Sequence, residues 1–135
     1  MKFPSAPHGL KMACGENPKR VYGSRKSAPS TRMGNVAGYR AEWLKAVEYR
    51  DRWRNYDPEG EKPSPSRDLR METLVGVLDG EIIVHNHCYR ADEMATLIEV
   101  SKEFGYKIGT FHHAVESYKI ADLLAQEEIC SCLLY

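Results

Sequence analysis

Long apolar runs are missing from this sequence. No stretch approaches the 18 consecutive apolar residues that a membrane-spanning helix requires, so no such span is expected. The opening Met1-Lys2-Phe3-Pro4-Ser5-Ala6-Pro7 has no apolar h-region, and no secretory leader is read there. Cysteine is scarce. Cys14, Cys88, Cys130 and Cys132 have neither zinc-ribbon spacing nor the pattern of a disulfide framework. The expectation is buried free thiols in a reducing compartment, with Cys130 and Cys132 on one face of a strand. No Gly-rich phosphate motif is present. An excess of one charge is also absent, with 19 Lys+Arg against 19 Asp+Glu. The charges are unevenly placed, however. Residues 1–56 hold 12 basic and 4 acidic side chains, residues 57–135 hold 7 and 15. A basic half can serve an anion or nucleic-acid partner, or the two halves can neutralise each other within one fold. The aromatic–basic interleaving of an RNA-binding surface is not seen.

What is present is a 135-residue chain of 42% hydrophobic content, enough for one globular core. Residues 71–78 read as a helix capped by Ser66 or Asp68 and ended by Asp79-Gly80. Glu81-Ile82-Ile83-Val84-His85 reads as a buried strand. Ala91 to Phe104 places Met94, Leu97, Ile98 and Phe104 on one helical stripe, with Gly105 as the stop. Residues 106–112 read as a strand, 115–126 as a helix, and 129–134 as a last strand. Gly9 to Cys14 is a further strand. Residues 15–33, rich in Gly, Pro, Ser, Lys and Arg, are expected to form a long functional loop. A helix from about Asn35 to Tyr56 follows, with Trp43, Leu44 and Val47 among its apolar positions. Pro58, Pro63 and Pro65 mark the linker after it. Strand–helix alternation predicts an α/β fold with a parallel sheet. A final strand without a covering helix suggests part of a larger barrel.

Four of the five histidines sit at the C-terminal ends of predicted strands, as His85-Asn86-His87 and His112-His113. Sites in α/β folds are built at that end, and neutral imidazole is a common ligand of zinc. A lone histidine there is more often an ordinary hydrogen-bonded residue, but four at matching ends point to a metal. Lys11 lies in an apolar strand, where a charge is costly unless paired. A buried lysine loses its proton readily and can add carbon dioxide to give a metal-binding carbamate. A salt-bridged or snorkelling lysine is the plainer alternative.

Ile83-Val84-His85-Asn86-His87 resembles the V-x-H-x-H strand of the amidohydrolase superfamily. Thr110-Phe111-His112-His113-Ala114 looks like its next I-E-H-G strand, and Gly9-Leu10-Lys11-Met12 is similar to its earlier I-K strand. Within the superfamily the chain looks most like the imidazolonepropionase-like, dipeptidase-like branch, through residues 11–18 and 113–122. The resemblance implies an internal fragment of a (β/α)8 TIM barrel: strand 8–14 with Lys11, loop and inserted helix 15–66, and a helix plus βαβαβ over 67–135. It implies His85, His113 and Lys11 as ligands of one or two divalent ions, most naturally zinc. His87 and His112 would then be supporting or substrate-facing neighbours.

The implied activity is hydrolysis of a linear or cyclic amide C–N bond in a small molecule, with no nucleic-acid or membrane partner. The superfamily's His-x-His strand and strand-end Asp have no counterparts in the chain, so the rest of a barrel is needed and weak or no turnover is expected from it alone. Lys19, Arg20 and Tyr22 could recognise a substrate carboxylate or lie in a solvated loop. Arg90 could bind a carboxylate or the first turn of its own helix. Two rival functions stand beside the hydrolase. One is a non-catalytic metal-binding or assembly module using the same histidines. The other is an anion- or nucleic-acid-binding domain using the basic half.

Overall fold

The computed structural model describes residues 3–133. Four strands, β1 (His8–Ala13), β2 (Ile82–Cys88), β3 (Ile108–His113) and β4 (Cys130–Cys132), form one parallel sheet in sequence order. Five helices connect them: α1 (Glu16–Ser24), α2 (Arg32–Arg54), α3 (Leu69–Leu78), α4 (Ala91–Phe104) and α5 (Ala121–Gln126), the last preceded by a 3-10 turn over Ser117–Ile120. The α/β class and parallel sheet agree with the sequence, and the arrangement is consistent with part of a TIM barrel.

The core lies on one face of the sheet. Val84 and Cys88 of β2 and Ile108 and Phe111 of β3 are buried there with Trp43 and Ala46 of α2, Met94, Leu97 and Ile98 of α4, and Leu124 of α5. α4 forms where the stripe predicted it, and Gly105 ends it in the left-handed conformation at φ 76°. α3 is capped by Asp68, whose carboxylate accepts from the N–H groups of Arg70 and Met71. α2 begins earlier than expected, because the Thr31 hydroxyl caps it by accepting from Gly34. Leu44, expected on its apolar face, is exposed, while Asn35, Trp43, Ala46 and Tyr49 face inward.

Three expectations are corrected. Residues 15–33 are not one loop, because α1 occupies Glu16–Ser24. Pro18 sits in its first turn, where the missing N–H would have had no helical partner, and none of its residues is buried. Its polarity hid it. The expected helix over 115–126 is broken, since the 3-10 turn precedes α5. Nor are all four cysteines buried free thiols: Cys14 and Cys88 form a disulfide, and the free Cys130 is exposed. Leu134, the expected end of the last strand, lies outside the described residues.

The charge imbalance between the halves is partly resolved by pairing across them. Arg32 meets Glu93, Arg40 meets Glu103, and Arg50 and Arg54 meet Asp79. Among the described residues, no helix is long and apolar enough to cross a membrane.

Candidate metal centre

Parallel register aligns the chemistry-bearing residues at the C-terminal end of the sheet. Lys11 lies opposite His85, Ala13 opposite His87, His87 opposite His112, and Cys88 opposite His113. Period-two alternation sends Val84, Asn86 and Cys88 to the covered face and His85 and His87 to the other. Gly9 and Lys11 share that second face. A Cβ on Gly9 would stand 3.1 Å from the His85 ring, so this glycine leaves the ring its space. Lys11 is exposed rather than buried in its strand, since its apolar neighbours Leu10 and Met12 turn to the covered face. The cost of a buried cation, argued from the sequence, is not incurred here.

The four imidazoles form a linked group. His85 Nδ1 lies 3.2 Å from His112 Nε2. Ring centroids are 5.4 Å apart for His85 and His112, 6.5 Å for His112 and His113, and 4.6 Å for His113 and His87. The expected ligands His85 and His113 are thus not nearest neighbours. His85 meets His112, and His113 meets His87. His113 reaches its position through a left-handed backbone, φ 66°, followed by Ala114 at φ 25°. Such conformations cost a non-glycine residue roughly 1 kcal/mol each and often mark functional sites.

Burial, then the nearby His113, Lys11 and His112, hold His87 below the ordinary imidazole range. Burial, then Lys11, His85 and His113, lower His112 in the same direction. Both effects favour the neutral imidazole, the form that donates a lone pair to a metal. Two nitrogens bound to one tetrahedral zinc at about 2.0–2.1 Å stand about 3.3 Å apart. The His85–His112 separation, also that of a hydrogen bond, matches that spacing for two donors, while among the described residues no third histidine, cysteine or carboxylate donor atom gathers with them within 4.8 Å.

The chain matches no family model. It is 37% identical, over 85% of its length, to amidohydrolase tasK of Hapsidospora irregularis, covering 12% of that protein. It is 41% identical to the amidohydrolase from Thermotoga maritima MSB8 in its crystal structure, with a TM-score of 0.84 over 91% of this chain and 32% of that one. The chain is an amidohydrolase-family segment. It spans about a third of the bacterial relative's length and about an eighth of the fungal one's.

In this amidohydrolase segment the remaining sequence-predicted site residues sit outside the imidazole group. Lys19 pairs with Glu16, while Arg20 and Tyr22 are exposed on α1. Arg90, next to α4, makes a two-pronged contact with Asp92 in the first turn of that helix. Sequence reasoning did not single out Asn17, Tyr89, Glu93 or Glu116 as site residues. The Asn17 amide donates to His87 Nε2 at 2.8 Å, and Tyr89 packs edge-on against the same ring. Glu116 accepts from the Ala91 N–H and donates its own N–H to the Tyr89 carbonyl, tying the exit of β3 to the β2–α4 turn. Its carboxyl is held low by Lys119 and then by the Ala91 N–H. Glu93 brings a carboxylate oxygen within 4.8 Å of the Cys14 and Cys88 sulfurs. The one available signal was position: all four lie within a few residues of a strand's C-terminal end.

Proposed function

We propose that this chain contributes the central metal-binding strands of a metal-dependent amidohydrolase that cleaves a C–N bond in a small linear or cyclic amide. The observation carrying this reading is the linked group of four imidazoles and Lys11 on one face at one end of a parallel sheet. The relatives named amidohydrolase agree with it. When bound, a divalent ion, zinc by preference for these donors, lowers the pKa of a water and polarises the amide carbonyl. His85 and His113 would hold that ion with Lys11, as a free amine or a carbamate. His112 is positioned to share or replace His113. His87, fixed by Asn17, would orient a neighbouring group or the substrate. Lys19, Arg20, Tyr22 and Arg90 would serve a substrate carboxylate. The chain would occupy an internal part of a barrel whose other strands complete the site, so weak or no turnover of dipeptides and N-acyl amino acids is expected from it alone.

Zinc titration followed by calorimetry tests the ligand set. The unaltered chain should bind about one zinc per molecule, and His85→Ala should weaken binding at least about tenfold. Comparing His112→Ala with His113→Ala identifies the β3 ligand. Equal zinc affinity in the unaltered chain and in all three variants would remove the metal centre and the hydrolase reading with it.

A further inference from the structure

Cys14 and Cys88 flank the site without belonging to it. Cys14 directly follows β1 and Cys88 closes β2. Both sulfurs are on the covered face, with the residues 3% and 0% exposed. Their Cα atoms are 5.3 Å apart and their positions in the chain 74 residues apart. The segment they hold is the one that reaches the imidazoles. The Cys14 N–H donates to the His87 carbonyl at 2.8 Å. Gly15 then turns at φ 72°, and α1 presents Asn17 to the His87 ring. The disulfide thus joins the two backbone points on either side of the Asn17–His87 contact. A cavity of about 230 Å³ opens beside Cys14 and is also lined by Gly15, Arg32 and Glu93. Cys14 and the Arg32–Glu93 ion pair thus line one opening, the side from which a small dithiol would have to reach the disulfide.

We propose that Cys14–Cys88 is a reversible thiol–disulfide site for small dithiols, and that its state sets the order of the Asn17–His87 arm. This goes beyond the hydrolase reading and does not depend on it. A thiolate of the dithiol attacks Cys14 Sγ and breaks the Cys14–Cys88 bond. The electron pair departs on Cys88, which takes up a proton. The second thiol of the reductant displaces Cys14 from the mixed disulfide, and Cys14 takes up the second proton. The dithiol leaves as a cyclic disulfide, so two electrons and two protons have passed to the protein. Reduction leaves the strands paired, because their backbone ladder is intact. It removes the cross-link that confines Gly15, Glu16 and Asn17.

The test is a titration of the metal-free chain in dithiothreitol buffers of graded oxidised-to-reduced ratio. Thiols are counted by mass-tagging, and the Asn17 and His87 side chains are followed by NMR. Expected are two protected thiols under oxidising conditions and a single two-electron transition. The Asn17 and His87 resonances should shift along the same curve, and amide exchange at residues 15–17 should quicken at least about tenfold on reduction. Cys14→Ser should lock the arm in its reduced spectrum and abolish the response to dithiothreitol. Four taggable thiols under every condition would overturn the proposal. So would a disulfide that resists the reductant, or a full redox transition that leaves Asn17 and His87 unmoved.

Discussion

At the scale of single residues, Gly15 shows how the site constrains the sequence. Its φ of 72° suits glycine, and an added Cβ would fall 2.3–2.7 Å from the Glu93 carboxylate. Glu93 can yield only by loosening its contact with Arg32. Gly15→Ala should therefore destabilise the chain by about 1–3 kcal/mol, read as a lower urea midpoint with an unchanged m-value. An unshifted midpoint would mean that the turn adapts freely. Tyr39 gives a pH prediction. Burial raises its phenol to about 12 from an ordinary value of 10.0, and its hydroxyl donates to the Ala13 carbonyl. Above pH 10 the unfolded chain ionises while the folded one keeps its proton. The stabilisation is thus complete below pH 10 and is lost as pH rises towards 12, by roughly 2–3 kcal/mol. Denaturant curves between pH 9 and 12 should show that slope, and Tyr39→Phe should reduce it without abolishing it, because burial also pushes the Tyr106 phenol up. The histidines stood out because they stand in short motifs towards strand ends, and Lys11 because it is a charge within an apolar strand. Asn17, Glu93 and Cys14–Cys88 did not, because each acquires its meaning from a partner more than 60 positions away.

At the scale of elements, legibility followed periodicity. α4 and α3 have apolar stripes and strong caps, and both formed where the spacing placed them. α1 buries nothing, so no stripe could announce it; its start depends on Gly15 and on Pro18 being tolerated in a first turn. Leu44 was misplaced because α2 turns Trp43 and Ala46 inward, and the two positions between them then face out. The packing of α4 on the sheet can be tested through Met94, which is fully buried. Met94→Ala should cost about 2–5 kcal/mol, measured by thermal or urea unfolding. A loss below about 1 kcal/mol would show that α4 does not seal the covered face. On the opposite face Gly109 leaves room for Ile83, whose Cγ2 would lie 2.4 Å from an added Cβ. Gly109→Ala should cost about 1–3 kcal/mol by the same unfolding measurement. A neutral outcome would show that β2 and β3 can separate at that point.

At the scale of the whole molecule, a four-stranded parallel sheet is covered by helices on one side and carries its imidazoles on the other. The basic and acidic halves meet in ion pairs between α2 and later elements, which charge counting alone left open against an anion-binding role. Two donor groups are candidates for a metal. One is the imidazole face with Lys11. The other is Cys14, Cys88 and Glu93, whose sulfurs are bonded to each other. X-ray absorption on the zinc-loaded, oxidised chain separates them. Donation by His85 and the β3 histidines predicts a shell of nitrogen and oxygen at about 2.0–2.1 Å with the outer scattering of at least two imidazole rings. A shell containing sulfur at about 2.3 Å, or one without imidazole scattering, would contradict it.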